Sequence, residues 1–349
     1  MTLDDLKLLG RLLREILPPA LFGRGPSLDS QLILLRNIQL ANLNIKNLGY
    51  ELGKRMASQL AQMPAPDAPG RHGLTSKPTT QSDIDSSWFI YWCARLKVAP
   101  LYHRKLWEFA FVLQALHEHD LLAPGRRGIG FGCGEEPLAS YFASIGIDTL
   151  VTDLEPSRVA GLGWQETHQH ASSSEQAFHG DIVARDLFDR HVSHRHIDMN
   201  QLPVFDQLYE FCWSVCALEH LGSIAKGLEF IENSLAAIKP GGIAVFTTEF
   251  NCQPDGSTID NWMTVLFQRK HFEALSARLT KQGHCMLGPD FDIGDGVLDR
   301  FVDLPPYSIG EGLQLHGQWA PVNQTAHLKL AIEGYAATCY GIIIRKAGG

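Results

Sequence analysis

The residues best suited to chemistry are three alternate glycines and one carboxylate. Gly130, Gly132 and Gly134 end an apolar stretch, and Asp153 ends the next apolar stretch along the chain. Glycine lets a backbone approach a ligand closely, and the helix after such a turn offers unpaired N–H groups. A carboxylate at the tip of the second strand can accept hydrogen bonds from the hydroxyls of a ribose. Together these residues predict a nucleotide-binding site.

The glycine spacing separates two classes of nucleotide ligand. The dinucleotide fingerprint is G-x-G-x-x-G, followed by an acidic residue on the second strand. Counted from Gly128, its last position is Cys133, and counted from Gly130 it is Glu135. The chain fits G-x-G-x-G instead, so a NAD-dependent oxidoreductase is disfavoured.

Alternating strands and helices must position these residues. The predicted strands cover 127–131, 149–152, a segment ending near 196–198, 208–215 and 243–248; the predicted helices between them include 138–145 and 224–238. This alternation predicts an α/β fold with a doubly wound, mostly parallel sheet. The tail over 336–345 is also strand-like.

The rest of the chain divides by composition. Residues 1–62 are predicted to form a helical N-terminal extension, and 63–86, rich in Pro, Gly, Ser and Thr, a linker or mobile loop. Residues 87–349 are then predicted to form the main domain, with an insertion at about 252–335, and a helix in this domain is predicted to end near Leu122. The N-terminal helices could form a homodimer or dock a partner enzyme.

Composition excludes several other classes of function. The net charge is −8 and no long run of Lys or Arg occurs, so no nucleic-acid partner is expected. No apolar run is long enough for a membrane span. Seven scattered cysteines argue against a disulfide framework and favour a reducing, cytoplasmic location. Cys212 and Cys216 have no second pair beside them, so no structural zinc site is predicted.

The glycine turn resembles motif I of the class I S-adenosylmethionine (SAM) methyltransferases, and Asp153 falls where that family keeps its ribose-binding acid. Asp198 and Met199 resemble its adenine-binding loop, and 214–221 resembles motif IV. The resemblance implies a Rossmann-like sheet of seven strands, the last of them an antiparallel edge strand, and SAM as the cofactor. It also implies that the helix ending near Leu122 covers the SAM site and that the insertion at about 252–335 lies on the side of the methyl acceptor. The implied cofactor-binding residues are Gly130, Gly132, Gly134, Glu135, Asp153, Asp198, Met199 and Cys216.

One position departs from that family. An acid often stands two residues before the first motif glycine, close to the amino group of SAM, and here that position is Gly128. Glu135 is the residue expected to take over part of this role.

A narrower likeness concerns the acceptor. The segments 198–200, 219–223 and 247–251, taken with the motif, look like bacterial methyltransferases found among proteins of surface-polysaccharide biosynthesis. That likeness implies O-methylation of a sugar or glycan hydroxyl. Another small-molecule acceptor, such as a natural-product amine or phenol, stays open, and so does a non-catalytic, methyltransferase-like partner subunit.

The catalytic candidates follow the fourth and fifth strands. A hydroxyl is a poor nucleophile, so its methylation benefits from a general base that titrates near neutral pH, as histidine does. His220 is the predicted base, with Glu219 orienting it or binding the acceptor, and Glu249 next in line. The acidic loop 290–303 lacks the glutamate of a calcium loop, and no metal is assigned. A divalent ion shared by Glu219, Glu249 and an aspartate of this loop stays open as an alternative.

Overall fold

The computed structural model describes residues 7–8, 10–12, 28–159, 173–305, 307 and 326–348. The chain falls into two compact units, Met1–Gly49 and Tyr50–Gly349. The described residues of the first unit are helical, and within it the side chains of Ile45 and Leu48 are 61% and 70% exposed. Residues 1–6, 9 and 13–27 of the predicted helical extension fall outside the described residues.

The second unit contains the predicted α/β fold. The α-helices in the described ranges are α1 (Leu28–Leu60), α2 (Gln81–Ile84), α3 (Ser87–Arg95), α4 (Arg104–Glu118), α5 (Leu138–Ser144), α6 (Pro156–Val159), α7 (Arg185–His191), α8 (Ile224–Ser234) and α9 (Arg269–Lys281). The strands are β1 (Lys77–Pro78), β2 (Tyr102–His103), β3 (Arg127–Phe131), β4 (Asp148–Asp153), β5 (Val192–His196), β6 (Tyr209–Val215), β7 (Ile238–Asn251), β8 (Cys285–Met286), β9 (Val302–Asp303), β10 (Ala326–His327), β11 (Lys329–Ile332) and β12 (Tyr335–Arg345).

The order of the strands in the main sheet determines where a crevice opens. The order is β5-β4-β3-β6-β7-β12-β11-β9, and β3 to β7 pair in parallel. β12 pairs antiparallel with β7, which confirms the antiparallel strand expected near the C-terminus. The chain reverses its direction of travel across the sheet at β3, so a crevice opens beyond the carboxyl ends of β3 and β6. β2 and β10 form a separate two-stranded sheet.

The predicted number of seven strands is wrong. In the described part of the chain the main sheet has ten strands, because β12 is not an edge. One side of β12 pairs with β7 along its length, and its other side is covered in turn by β11, β1 and β8. An uncovered strand would present unpaired N–H and C=O groups, and these short segments satisfy them.

The segment predicted as a linker takes part in this cover. Lys77 and Pro78 pair with Gly341 and Tyr340 of β12, and Thr79 N donates to the carbonyl of Cys339 at 2.8 Å. Asp83 then accepts from the indole of Trp107 at 2.9 Å. Residues 77–83 therefore belong to the packed body of the second unit, and the compact boundary at Gly49 lies before the predicted one at residue 62.

Both faces of the sheet are buried, as expected for parallel strands covered by helices. Along β6, Phe211 and Trp213 pack into one apolar cluster and Cys212, between them, into the other. Side chains of a strand alternate between its two faces, so an almost continuous apolar run supplies both cores. No helix among the described residues has the length and apolarity to cross a membrane.

We predict that Gly341→Ala destabilises the protein. Gly341 lies in β12, and a Cβ atom there would overlap the ring of Phe111 on α4. Overpacking of this kind costs about 1–3 kcal/mol, which denaturant unfolding would measure. Gly348→Ala is the matched control, because nothing lies within 4 Å of its added Cβ. Equal stability of the two variants would contradict close packing of α4 on β12.

Candidate functional site

A cavity of about 640 Å³ lies at the carboxyl ends of β3 to β6. This volume is within the range of small-molecule sites. Its lining comes from the turns after those strands and from the segment that leads into α4: Leu96, Val98, Lys105, Leu106, Phe109, Gly132, Cys133, Gly134, Glu135, Glu136, Pro137, Asp153, Leu154, His179, Asp181, Ile197, Asp198, Met199, Asn200, Val215, Cys216, Ala217, His220 and Leu221.

The glycine turn is held against the neighbouring strand. Gly132 and Gly134 have φ angles of 61° and 53°, a left-handed conformation that glycine adopts without strain. Cys133 N donates to the carbonyl of Thr152 at 3.1 Å, and Gly134 N donates to Asp153 Oδ2 at 3.1 Å. The predicted turn and the predicted acid are thus brought together by direct hydrogen bonds.

Gly130 has a different role from the other two motif glycines. It lies inside β3 and is not among the residues that line the cavity. A Cβ atom at this position would overlap the indole of Trp213 and the thiol of Cys133. Close packing beneath the turn therefore requires glycine at position 130, whereas Gly132 and Gly134 shape the cavity wall.

Asp153 and the loop after β5 form the next part of the wall. Asp153 Oδ1 accepts from Leu154 N at 2.8 Å, and its backbone carbonyl accepts from Ile197 N at 2.9 Å. That second bond places Asp198 and Met199 beside Asp153 on the cavity surface. Asp198 Oδ1 accepts from Asn200 N at 2.8 Å, which fixes the start of the loop.

Two adjacent acids follow the glycine turn, and they differ in burial. Glu135 is half-buried and accepts from the side-chain amide of Gln176 at 3.2 Å. Glu136 is only 6% exposed, lines the cavity and accepts from the indole N–H of Trp213. Burial raises the pKa of Glu136 to about 8, although Trp213 and Cys133 donate to it. With a pKa of about 8, Glu136 is mostly protonated at neutral pH, even though the ammonium of Lys105 acts to lower that pKa.

Among the described residues that line the cavity, the only lysine or arginine is Lys105, which helix α4 supplies. The helix begins after His103, whose Nδ1 accepts from Lys105 N at 3.1 Å. Lys105, Leu106 and Phe109 then face the cavity. Burial alone would lower the pKa of Lys105, but Cys216 and Glu108 raise it above its ordinary value, so its ammonium stays charged.

A layer of buried charges lies behind this wall. Arg104 pairs with Glu249 of β7, and Arg104 Nη1 also lies 3.0 Å from Cys339 Sγ. Glu108, fully buried, accepts from Thr247 Oγ1 and has Lys105 Nζ at 3.5 Å from its other oxygen. Burial would raise the pKa of Glu108, yet Lys105 and Arg104 lower it.

The three predicted catalytic residues are divided between cavity and interior. His220 lines the cavity, and its Nδ1 lies 2.8 Å from the carbonyl oxygen of Met263. A carbonyl only accepts, so Nδ1 carries the proton and Nε2 is the basic nitrogen of the neutral ring. Glu219 and Glu249 are buried and do not line the cavity.

The surroundings of Glu219 differ from those predicted. Glu219 Oε2 accepts from Thr248 Oγ1 at 3.1 Å, and the Nδ1 partner of His220 is Met263 rather than Glu219. Burial raises the pKa of Glu219, against a smaller lowering by His220.

Donor atoms that could approach a metal occur among these buried groups. Within the described residues, Glu108, Cys216 and Cys339 offer one such set, and Cys216, Glu219 and Glu249 another. Arg104 and Lys105 contribute two positive charges to the same place. Because Arg104 already pairs with Glu249 and Lys105 with Glu108, we assign no metal to either set.

Sequence reasoning missed Glu136, Lys105, His179 and Asp181 in the cavity wall. Two of them had a signal nearby. Glu136 follows Glu135 directly in the motif, and Lys105 stands at the start of the helix that was expected to cover the site. His179 and Asp181 follow a stretch without any recognisable motif.

Comparison with known proteins gives structural likenesses only. No family model and no curated protein matches the sequence. Among solved structures, a SAM-dependent methyltransferase from Geobacter sulfurreducens bound to S-adenosylhomocysteine is 14% identical, with a TM-score of 0.39 over 73% of this chain and 97% of that one. The N-methyltransferase NodS from Bradyrhizobium japonicum is 16% identical, with a TM-score of 0.34 over 67% and 93%.

YjhP from Escherichia coli is also 16% identical, with a TM-score of 0.34, and the match covers 51% of this chain and 64% of that one. The match therefore spans less than two thirds of YjhP. No TM-score among the three exceeds 0.39, so these likenesses do not assign a function to this chain.

We predict that Glu136→Gln stabilises the protein increasingly as pH rises. The pKa of this carboxyl is about 8 in the folded protein, above its ordinary 4.5. Because this carboxyl has the lower pKa in the unfolded chain, its ionisation favours unfolding. The wild-type protein therefore loses, as pH rises towards 8, stability that it has below pH 4.5. Glutamine removes this loss, which amounts to about 4 kcal/mol. Denaturant unfolding between pH 4.5 and 8.5 measures it, with Glu135→Gln as control; parallel curves for wild type and Glu136→Gln would contradict the prediction.

Proposed function

We propose that the protein is a SAM-dependent methyltransferase. The observation that carries this proposal is the negative charge of the cavity, which lies beyond the carboxyl ends of β3 and β4. Among the described residues, its wall contains the carboxylates of Glu135, Asp153, Asp181 and Asp198 and the mostly neutral carboxyl group of Glu136, against one lysine. A wall of this kind favours a small ligand with net positive charge, and SAM carries a sulfonium, an ammonium and one carboxylate.

The residues present fit that ligand part by part. Asp153 stands at the tip of β4, where a ribose would present its hydroxyls, and Asp198 and Met199 offer an acceptor and an apolar surface for adenine. Gly132 and Gly134 have no side chains, so the ligand can approach the backbone closely there. At the amino-acid end, we assign the ammonium to Glu136 and the carboxylate to Lys105. This replaces Glu135, the acid expected from sequence, because Glu136 is the more deeply buried in the cavity wall.

The protein's share of the reaction is alignment and proton removal. When bound, SAM supplies a methyl group that is already activated on sulfur, so the enzyme mainly holds an acceptor in line with it. His220 lies on the same cavity, with Met263 fixing its proton on Nδ1. Nε2 can then take the proton of an acceptor hydroxyl while the new O–C bond forms. Glu249 holds Arg104 and acts at most through that cation.

For the acceptor we propose a hydroxyl group, with a sugar or glycan as its source. What supports the hydroxyl is His220; what supports the sugar is the sequence likeness alone. A second candidate, a small aromatic or amine acceptor, is favoured by the apolar part of the wall, Leu96, Val98, Leu106 and Phe109. Mass-spectrometric detection of methylated product, with panels of sugar nucleotides, glycans, phenols and amines, separates the two. Absence of turnover with SAM bound would favour the non-catalytic subunit.

We predict that Asp153→Ala weakens SAM binding by about 1–3 kcal/mol in calorimetric titration, since the ribose loses its charged acceptor. Asp181→Ala is the matched control, because it removes the same charge from an exposed position of the same cavity wall. Asp153→Asn tests whether the turn survives, as its amide oxygen can still accept from Gly134 N. NAD is titrated in parallel; binding of NAD but not SAM would overturn the proposed cofactor.

We predict that His220→Ala lowers kcat by about 10²–10⁴-fold, the usual share of a general base. Affinity for S-adenosylhomocysteine should stay near that of the wild type, because the ribose and adenine positions lie on other strands. His179→Ala is the control, since this histidine lines the same cavity and bonds to the backbone of Glu135. Near-normal turnover of His220→Ala would remove the base from this residue.

A further inference from the structure

Two cysteines meet where the cavity wall adjoins the buried charges. Cys216 follows β6 and lines the cavity, whereas Cys339 lies in β12 and is fully buried. Their sulfur atoms are 3.5 Å apart, although 123 positions separate them in sequence. Cys216 also has a φ of 45°, the left-handed conformation that favours glycine, so its side chain is turned towards Cys339 at some backbone cost.

We propose that Cys216 and Cys339 form an oxidation site, in which a hydroperoxide that enters the cavity converts the two thiols into a disulfide. Forming the bond requires the sulfurs to approach from 3.5 Å to about 2.0 Å. Two other properties favour this pair over the remaining cysteines. One of its members is reachable from the cavity, and the other is held in place by a strand with both sides paired.

The chemistry balances without a further reactant. The sulfur of Cys216 attacks the hydroperoxide, an S–O bond forms, the O–O bond breaks, and water or an alcohol leaves. The sulfur of Cys339 then attacks the sulfenic sulfur, the S–S bond forms, and the hydroxyl leaves as water with the proton of the second thiol. The two thiols lose two electrons and the hydroperoxide gains them.

The surroundings of the thiols set the pH dependence. Burial raises the pKa of Cys339 to about 11 and that of Cys216 further, and the carboxylates Glu108, Glu219 and Glu249 add to this. Arg104 lies 3.0 Å from Cys339 Sγ and acts in the opposite direction, as does the ammonium of Lys105 on its other side. The thiolate is the reactive form, so oxidation is slow at pH 7 and speeds up about tenfold per pH unit.

A ligand in the cavity should protect the pair, because Cys216 is reached from the cavity. This part rests on the proposed function, since S-adenosylhomocysteine is the ligand used. The formation of the disulfide in the ligand-free protein does not depend on it.

The experiment uses the full-length chain at pH 7 and pH 9, treated with hydrogen peroxide, alkylated and digested. We expect one cross-linked pair of peptides, containing Cys216 and Cys339, with a mass two hydrogens below the sum of its reduced members. Dithiothreitol should reverse it. Cys339→Ser should abolish it, whereas Cys285→Ser, the matched control at an exposed cysteine, should retain it.

Saturating S-adenosylhomocysteine should slow the cross-link at least tenfold. The proposal is overturned if folded protein, checked by circular dichroism, forms no 216–339 cross-link at pH 9, or if Cys216 is over-oxidised without cross-linking. A ligand that binds by calorimetry but does not slow the reaction would overturn access through the cavity. A ligand that fails to bind would instead count against the proposed function, while the cross-link alone still decides the oxidation site.

Discussion

Burial of charge beneath the cavity is the constraint on which the site depends. A buried ion that loses its partner costs several kcal/mol, so the charged groups at the start of α4 must be paired in the folded state. Arg104 meets Glu249 of β7, while Glu108 meets Lys105 and Thr247. These contacts prescribe where α4 lies on the sheet, and the same turn of helix then presents its neighbouring side chains to the cavity.

The two sides of this layer have different chemistry. Towards solvent, the cavity is rich in carboxyl groups and accessible to a cationic ligand. Towards the sheet, Arg104 neutralises Glu249 and Lys105 neutralises Glu108. Cys216 belongs to both sides, because it lines the cavity and its sulfur lies 3.5 Å from that of Cys339.

Local patterns and distant contacts explain what the sequence could predict. The turn at Gly132 and Gly134, the acid Asp153 and the loop at Asp198 follow directly from strand ends, so short segments sufficed to bring them together. The packing role of Gly130 depends on Trp213, a residue on another strand. Likewise, Glu136 is the more deeply buried of the two acids in the cavity wall and meets that same indole, and no local pattern contains this information.

The position of β12 has a consequence for biosynthesis. It is the last strand of the sheet in chain order, yet it lies inside the sheet, with β7 on one side and β1, β8 and β11 on the other. During translation, β7 and the segment around Lys77 are synthesised before β12. Both therefore stay without their β12 partner until β12 is made. An unpaired strand edge invites pairing with another chain. A polypeptide that ends before Tyr335 would therefore leave the edge of β7 unpaired and open to such pairing.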